Sequence, residues 1–91
     1  MKISQEKLNT IKEQILSQLY HNFPTQLFTS QVASSIARDE EFIKKLLLEL
    51  KSKGLIISIK KNTKGIDFTR RIKWQLSTNA YNAYHAKANS L

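Results

Sequence analysis

Six cations crowd one short stretch of this chain. Lys60, Lys61, Lys64, Arg70, Arg71 and Lys73 share it with a single acid, Asp67. Long cationic side chains at this density suit one chemistry above others, the neutralisation of phosphates on a polyanion. A surface that merely keeps a protein in solution disperses its charge; here the charge is concentrated. Covalent chemistry finds little to work with. There is no cysteine, which excludes disulfides and thiolate metal sites. Glycine-rich phosphate loops, H-E-x-x-H and nucleophile elbows are missing, and no Ser–His–acid arrangement stands out. His21 and His85, the two histidines, sit at the ends of predicted helices and read as exposed or capping groups rather than ligands. The run Asp39-Glu40-Glu41 offers carboxylates, but contiguous residues point different ways around a helix, so capping explains it better than a metal. The expectation is a protein that is not an enzyme, with no cofactor and no metal.

The whole composition supports a binding role. Fifteen Lys and Arg against seven Asp and Glu leave a net charge of +8 on 91 residues. Residues 1–54 contribute +2 of this and residues 55–91 contribute +6. Such a field favours nucleic acid first and an anionic membrane surface second, and no membrane partner is expected because no helix combines a strongly basic face with a bulky exposed apolar one. The length allows one domain, 1–91, burying roughly 60–65% of its unfolded surface. The longest apolar runs are Leu46-Leu47-Leu48 and Leu55-Ile56-Ile57, far short of a membrane span or a secretory segment. A reducing cytoplasmic setting, associated with the nucleoid, is the matching expectation.

The elements that must carry these cations follow from periodicity. Leu8, Ile11, Ile15 and Leu19 make an apolar stripe and predict a helix over 4–22, capped by Ser4 and ended before Pro24. Val32, Ala33 and Ile36 predict a second helix over 29–37, with Thr29 or Ser30 as cap. Asp39 caps a third over 39–53, whose buried stripe is Ile43, Leu46, Leu47 and Leu50. Gly54 ends it in a left-handed conformation. The period then falls to two. Strands are predicted at 55–61 and 66–76 around the turn Asn62-Thr63-Lys64-Gly65, with Phe68, Ile72, Trp74 and Leu76 inward and Asp67, Thr69, Arg71, Lys73 and Gln75 outward. Arg70 interrupts the inward set and so belongs near the hairpin tip. Ser77 or Thr78 caps a last helix over 78–88. Tyr81 and Tyr84 are placed against the first helix by default, or across a dimer interface.

Two segments carry a family resemblance. LFTSQVASSIARDEEFIKKLLLELKSKGLI (27–56) resembles the second helix, third helix and first wing strand of winged helix–turn–helix proteins. RIKWQLSTNAYNAY (71–84) is similar to the returning strand and the start of the helix after it. Small regulators of the MarR and PadR kind are the nearest shape. Ser77 stands where threonine is common and Ala80 where glycine is common. The resemblance implies an α+β fold: a three-helix bundle, a two-stranded wing and a short C-terminal helix.

It also implies roles. The third helix would lie in the major groove of double-stranded DNA, its exposed face holding Glu41, Phe42, Lys44, Lys45 and Leu48. Lys44 and Lys45 suit phosphates or guanine edges, Phe42 a thymine methyl and Glu41 the amino group of cytosine. Ser30, Gln31 and Arg38 would lie near the DNA backbone, and the cations of 60–73 would form a basic wing on the phosphates. The expected function is transcription regulation through sequence-specific or semi-specific duplex binding. The acidic helix start departs from relatives with hydroxyl or basic residues there, because carboxylates are repelled by phosphates. An alternative therefore stays open: a winged-helix adaptor that binds protein through Phe42 and Leu48. A homodimer through the first and last helices is a further expectation. RNA binding has charge in its favour but lacks an exposed aromatic platform.

Overall fold

The computed structural model describes residues 4–59 and 72–88. The order is α1 (Gln5–Asn22), β1 (Leu27–Phe28), α2 (Thr29–Ile36), α3 (Glu40–Ser52), β2 (Ile56–Ile59), β3 (Lys73–Leu76) and α4 (Thr78–Ala88). Each helix lies within a residue of its predicted span. The predicted turn at 62–65, the outer parts of both wing strands, and Lys60, Lys61, Lys64, Arg70 and Arg71 lie outside the described residues.

Local signals set most helix ends. The Ser4 hydroxyl accepts from the Lys7 amide at 3.2 Å, satisfying a donor the first turn of α1 leaves open. Asp39 does the same for α3, its carboxylate accepting from the Phe42 amide at 3.1 Å. Ser77 caps α4, accepting from the Ala80 amide at 3.1 Å. Gly54 adopts φ +76° after α3, and the Leu55 amide donates back to Leu50 at 3.2 Å. At the end of α2 the left-handed position is held by Ala37, φ +57°, with the Arg38 amide donating to Ala33 at 3.0 Å. This tight break turns the chain from α2 into α3.

The start of α2 differs from expectation. Its cap position is Phe28, not Thr29 or Ser30, and the Gln31 side chain reaches back to accept from the Phe28 amide at 2.8 Å. Thr29 is buried, and its hydroxyl accepts from the Trp74 indole N–H at 2.8 Å. A buried indole donor needs such a partner, and this need overrides the usual use of threonine as a cap.

The sheet is three-stranded, order β1-β3-β2, and antiparallel throughout. β1 adds a short third strand to the expected pair. Leu27 opposes Trp74 and Phe28 opposes Lys73; on the other side Ile56 opposes Leu76, Ser58 opposes Trp74 and Ile59 opposes Lys73. Alternation then sends Leu27, Trp74, Leu76, Ile56 and Ser58 to the helices, and Phe28, Lys73, Gln75, Ile57 and Ile59 to the opposite face.

One core joins the described elements. Ile11, Ile15 and Leu19 of α1, Val32 of α2, Ile43 and Leu47 of α3, Ile56, Trp74 and Leu76 of the sheet are essentially inaccessible to solvent. Each such side chain contributes roughly 1.5–3 kcal/mol by leaving water. Ala80 of α4 is buried at its edge. Lys12, also buried, reaches across to Glu49 at 2.8 Å and ties α1 to α3.

Candidate nucleic-acid interface

The buried stripe of α3 determines which residues its free face presents. Ile43, Leu46, Leu47 and Leu50 are in the core. At 3.6 residues per turn, the opposite side carries Glu41, Lys45, Leu48 and Ser52, with Lys44 and Lys51 on one flank. All six are exposed. Phe42 and Glu49 occupy the other flank. Phe42 is half-buried and packs on the core. This corrects the expectation that Phe42 and Leu48 are exposed together. Leu48, at 46% exposure, and Ile57, at 45%, are the large apolar side chains left open among the described residues.

The cations of this region differ in what they already bind. Lys12 and Lys53 both face Glu49, at 2.8 and 4.0 Å. The hydrogen bond and charge of Lys12 hold the Glu49 carboxyl below the usual carboxylate range. Lys44, Lys45 and Arg38, by contrast, form no ion pair among the described residues. Cations without an ion-pair partner on this side keep their hydrogen-bond donors for a ligand.

The remaining expected site residues are dispersed around α3. Ser30 and Gln31 are exposed in the first turn of α2, and the Gln31 carbonyl is tied to the Phe28 amide. Arg38 is exposed in the break between α2 and α3. Lys73 is half-buried on the outer sheet face, its ammonium 5.2 Å from the centre of the Phe28 ring. It thus belongs to the sheet surface rather than to the face of α3. Lys51, exposed seven residues after Lys44, extends the basic flank of α3 beyond the residues expected from the sequence.

Along α1 several polar side chains bond within the chain. An open groove runs along α1 between Ser35 and Ile36 on one side and Tyr84 on the other. Glu13 in it accepts from the Tyr84 hydroxyl at 3.0 Å, Gln18 accepts from Ser35, and the His21 ring meets the Ser17 carbonyl at 2.8 Å. Burial, helped by Glu13, pushes the Tyr84 hydroxyl up to about 12. Tyr81 stacks on Phe23 at 4.1 Å and on Tyr20 at 5.3 Å, and Tyr84 on Tyr20 at 5.6 Å, so these aromatics seal α4 onto α1. Among the described residues no three His, Asp or Glu side chains gather as a metal site would require. Among the same residues no helix is long and apolar enough to cross a membrane.

Three helices, the tight α2–α3 turn and the sheet that follows define a winged helix–turn–helix fold. Solved structures of transcription regulators share it. The chain is similar to Staphylococcus aureus MepR in its DNA complex, with TM-score 0.72 and 22% identity over 91% of this chain and 65% of that one. Lactococcus lactis ZitR gives TM-score 0.67 and 22% identity, covering 97% of this chain and 56% of that one. The PcaV transcriptional regulator of Streptomyces coelicolor, in complex with its natural ligand, gives 0.63 and 17% identity over 81% and 48%. The chain therefore spans about half to two thirds of the length of these regulators. These are winged-helix proteins of the MarR kind, matching the sequence resemblance. No protein-family model matches the sequence, and no curated protein matches it closely enough to count as a relative.

Proposed function

We infer that this protein binds double-stranded DNA as a small transcription regulator, with α3 in the major groove and the cations of 60–73 on the phosphate backbone. The observation that carries this reading is the free face of α3, where Lys44 and Lys45 are exposed and uncommitted while the opposite face is locked into the core. A helix of this diameter fits the major groove, and exposed ammonium groups there meet phosphates or guanine edges. Arg38 and Ser30 flank the α2–α3 turn and suit the adjoining backbone. Lys60, Lys61, Lys64, Arg70, Arg71 and Lys73 add sequence-independent affinity. MepR, which shares this fold, is solved in complex with DNA, and this supports the reading by analogy of fold.

A salt series tests it. Neutralising about five phosphates makes log affinity fall against log salt with slope about −4 to −5. Replacing Lys60, Lys61, Arg70 and Arg71 together by alanine should flatten that slope, and Lys44→Ala with Lys45→Ala should weaken binding further. No association with any duplex at low ionic strength would overturn the reading. The adaptor alternative loses ground because Phe42 turns toward the core, leaving Leu48 without its expected apolar neighbour on the free face.

A further inference from the structure

We propose that Leu48 reads sequence, packing its side chain on the C5-methyl of a thymine, within a reading row formed by Glu41, Lys45 and Leu48; this rests on the duplex-binding reading above. The three residues lie four and then three positions apart and share the free side of α3. Seven residues of helix rise about 10 Å, about three base-pair steps along a strand. The row is therefore the right length to meet successive base edges.

Leu48 is the anomaly in that row. Leu48 is 46% exposed on the helix face opposite the core, so much of its apolar surface is left in water. Its surroundings say what covers it. Lys44 and Lys45 precede it by four and three positions, Lys51 and Ser52 follow by three and four, and all are exposed. An apolar partner surface of a protein would have to bring these ammonium groups out of water with it. The major groove of DNA offers the opposite arrangement, an apolar methyl on each thymine set between two rows of phosphates. The cationic surround and apolar centre of this patch thus complement a thymine flanked by backbone. Phe42, for which the family resemblance implies the thymine contact, is half-buried against the core and on another flank. The role passes to Leu48.

Deoxyuridine isolates the contact, because it differs from thymidine at that position only by the missing methyl. Duplexes enriched by in vitro selection with the whole chain are resynthesised with each thymine replaced singly by deoxyuridine. Wild-type protein should lose about 4-fold in affinity at one position, the value of one buried methyl group, and Leu48→Ala should lose nothing there while keeping its circular dichroism spectrum. Equal thymine-to-uracil penalties in both proteins at every position would overturn the proposal and return Leu48 to a protein-facing role. Failure of the wild-type chain to bind any duplex would remove the functional reading itself, and the two failures are distinct.

Discussion

Glu41 is the residue whose charge most opposes the proposed partner. Asp39 has a structural task at the α3 N-cap, and Glu40 favours the positive end of the helix dipole. Glu41 lies on the free row with Lys45 and is exposed. A carboxylate in the groove repels phosphates and rewards only a correctly placed donor such as the cytosine amino group. Glu41→Gln should raise affinity for unrelated duplexes about 3- to 10-fold at low salt, the effect shrinking as salt screens it. Preference at one C·G pair should weaken at the same time. Fluorescence anisotropy with specific and random duplexes measures both, and unchanged random-duplex affinity would place Glu41 outside the interface. Tyr84 makes a residue-scale prediction for stability. Its hydroxyl is raised from 10.0 to about 12 in the folded chain, through burial and then through Glu13. Folding therefore favours the protonated phenol. The contribution is complete below pH 10 and disappears as pH rises from 10 to 12. Urea unfolding of wild type and Tyr84→Phe should differ by a constant amount up to about pH 9 and converge, or cross, above 10.

At the scale of elements, the winged fold depends on how α2 is joined to the sheet. Trp74 is completely buried in β3, and its indole N–H has Thr29 at the start of α2 as its partner. Thr29→Val keeps shape and removes the acceptor. It should cost about 1–3 kcal/mol in urea unfolding, the penalty for stranding a buried donor. A loss below about 0.5 kcal/mol would mean that the indole finds another partner. Thr29 reads as a cap in the sequence because threonine before an apolar-periodic run usually is one. Only its pairing with a residue 45 positions away reverses that reading. β1 escapes sequence reading for a related reason. Two residues are too short to show a period, and Leu27–Phe28 become a strand because β3 offers them a ladder. The long helices were legible because each carries its own stripe and its own cap.

At the scale of the whole molecule, exposed apolar surface is unevenly placed. The large exposed hydrophobics among the described residues, Leu48 and Ile57, lie on α3 and β2. The exposed positions of α1 and α4 are polar, charged or alanine, while their aromatic residues are spent on sealing one helix to the other within the chain. Stable dimers need an apolar centre, and on the described parts of these two helices only the partly buried Leu8, Tyr20, Tyr81 and Tyr84 could supply one. Sedimentation at about 10 µM tests pairing through the first and last helices: a dimer lost on replacing Leu8 and Tyr81 by polar residues would support it, and a monomer would count against it. Two monomers could still occupy neighbouring half-sites on one duplex, with contact energy coming chiefly from DNA.

Features confined to a few consecutive residues were written in the sequence itself: the stripes of α1 and α3, the caps Ser4, Asp39 and Ser77, the left-handed Gly54, and the crowding of cations at 60–73. Each depends on partners no more than about a turn away, so composition and spacing suffice. Tertiary structure decided what α3 shows to a partner. The stripe puts Leu48 opposite the core and Phe42 on a flank; only the packed molecule shows that this flank is covered, with Phe42 half-buried against the core while Leu48 stays open. Lys12 meeting Glu49 and Trp74 meeting Thr29 were equally out of reach, because those partners become neighbours only after the chain has closed around one core.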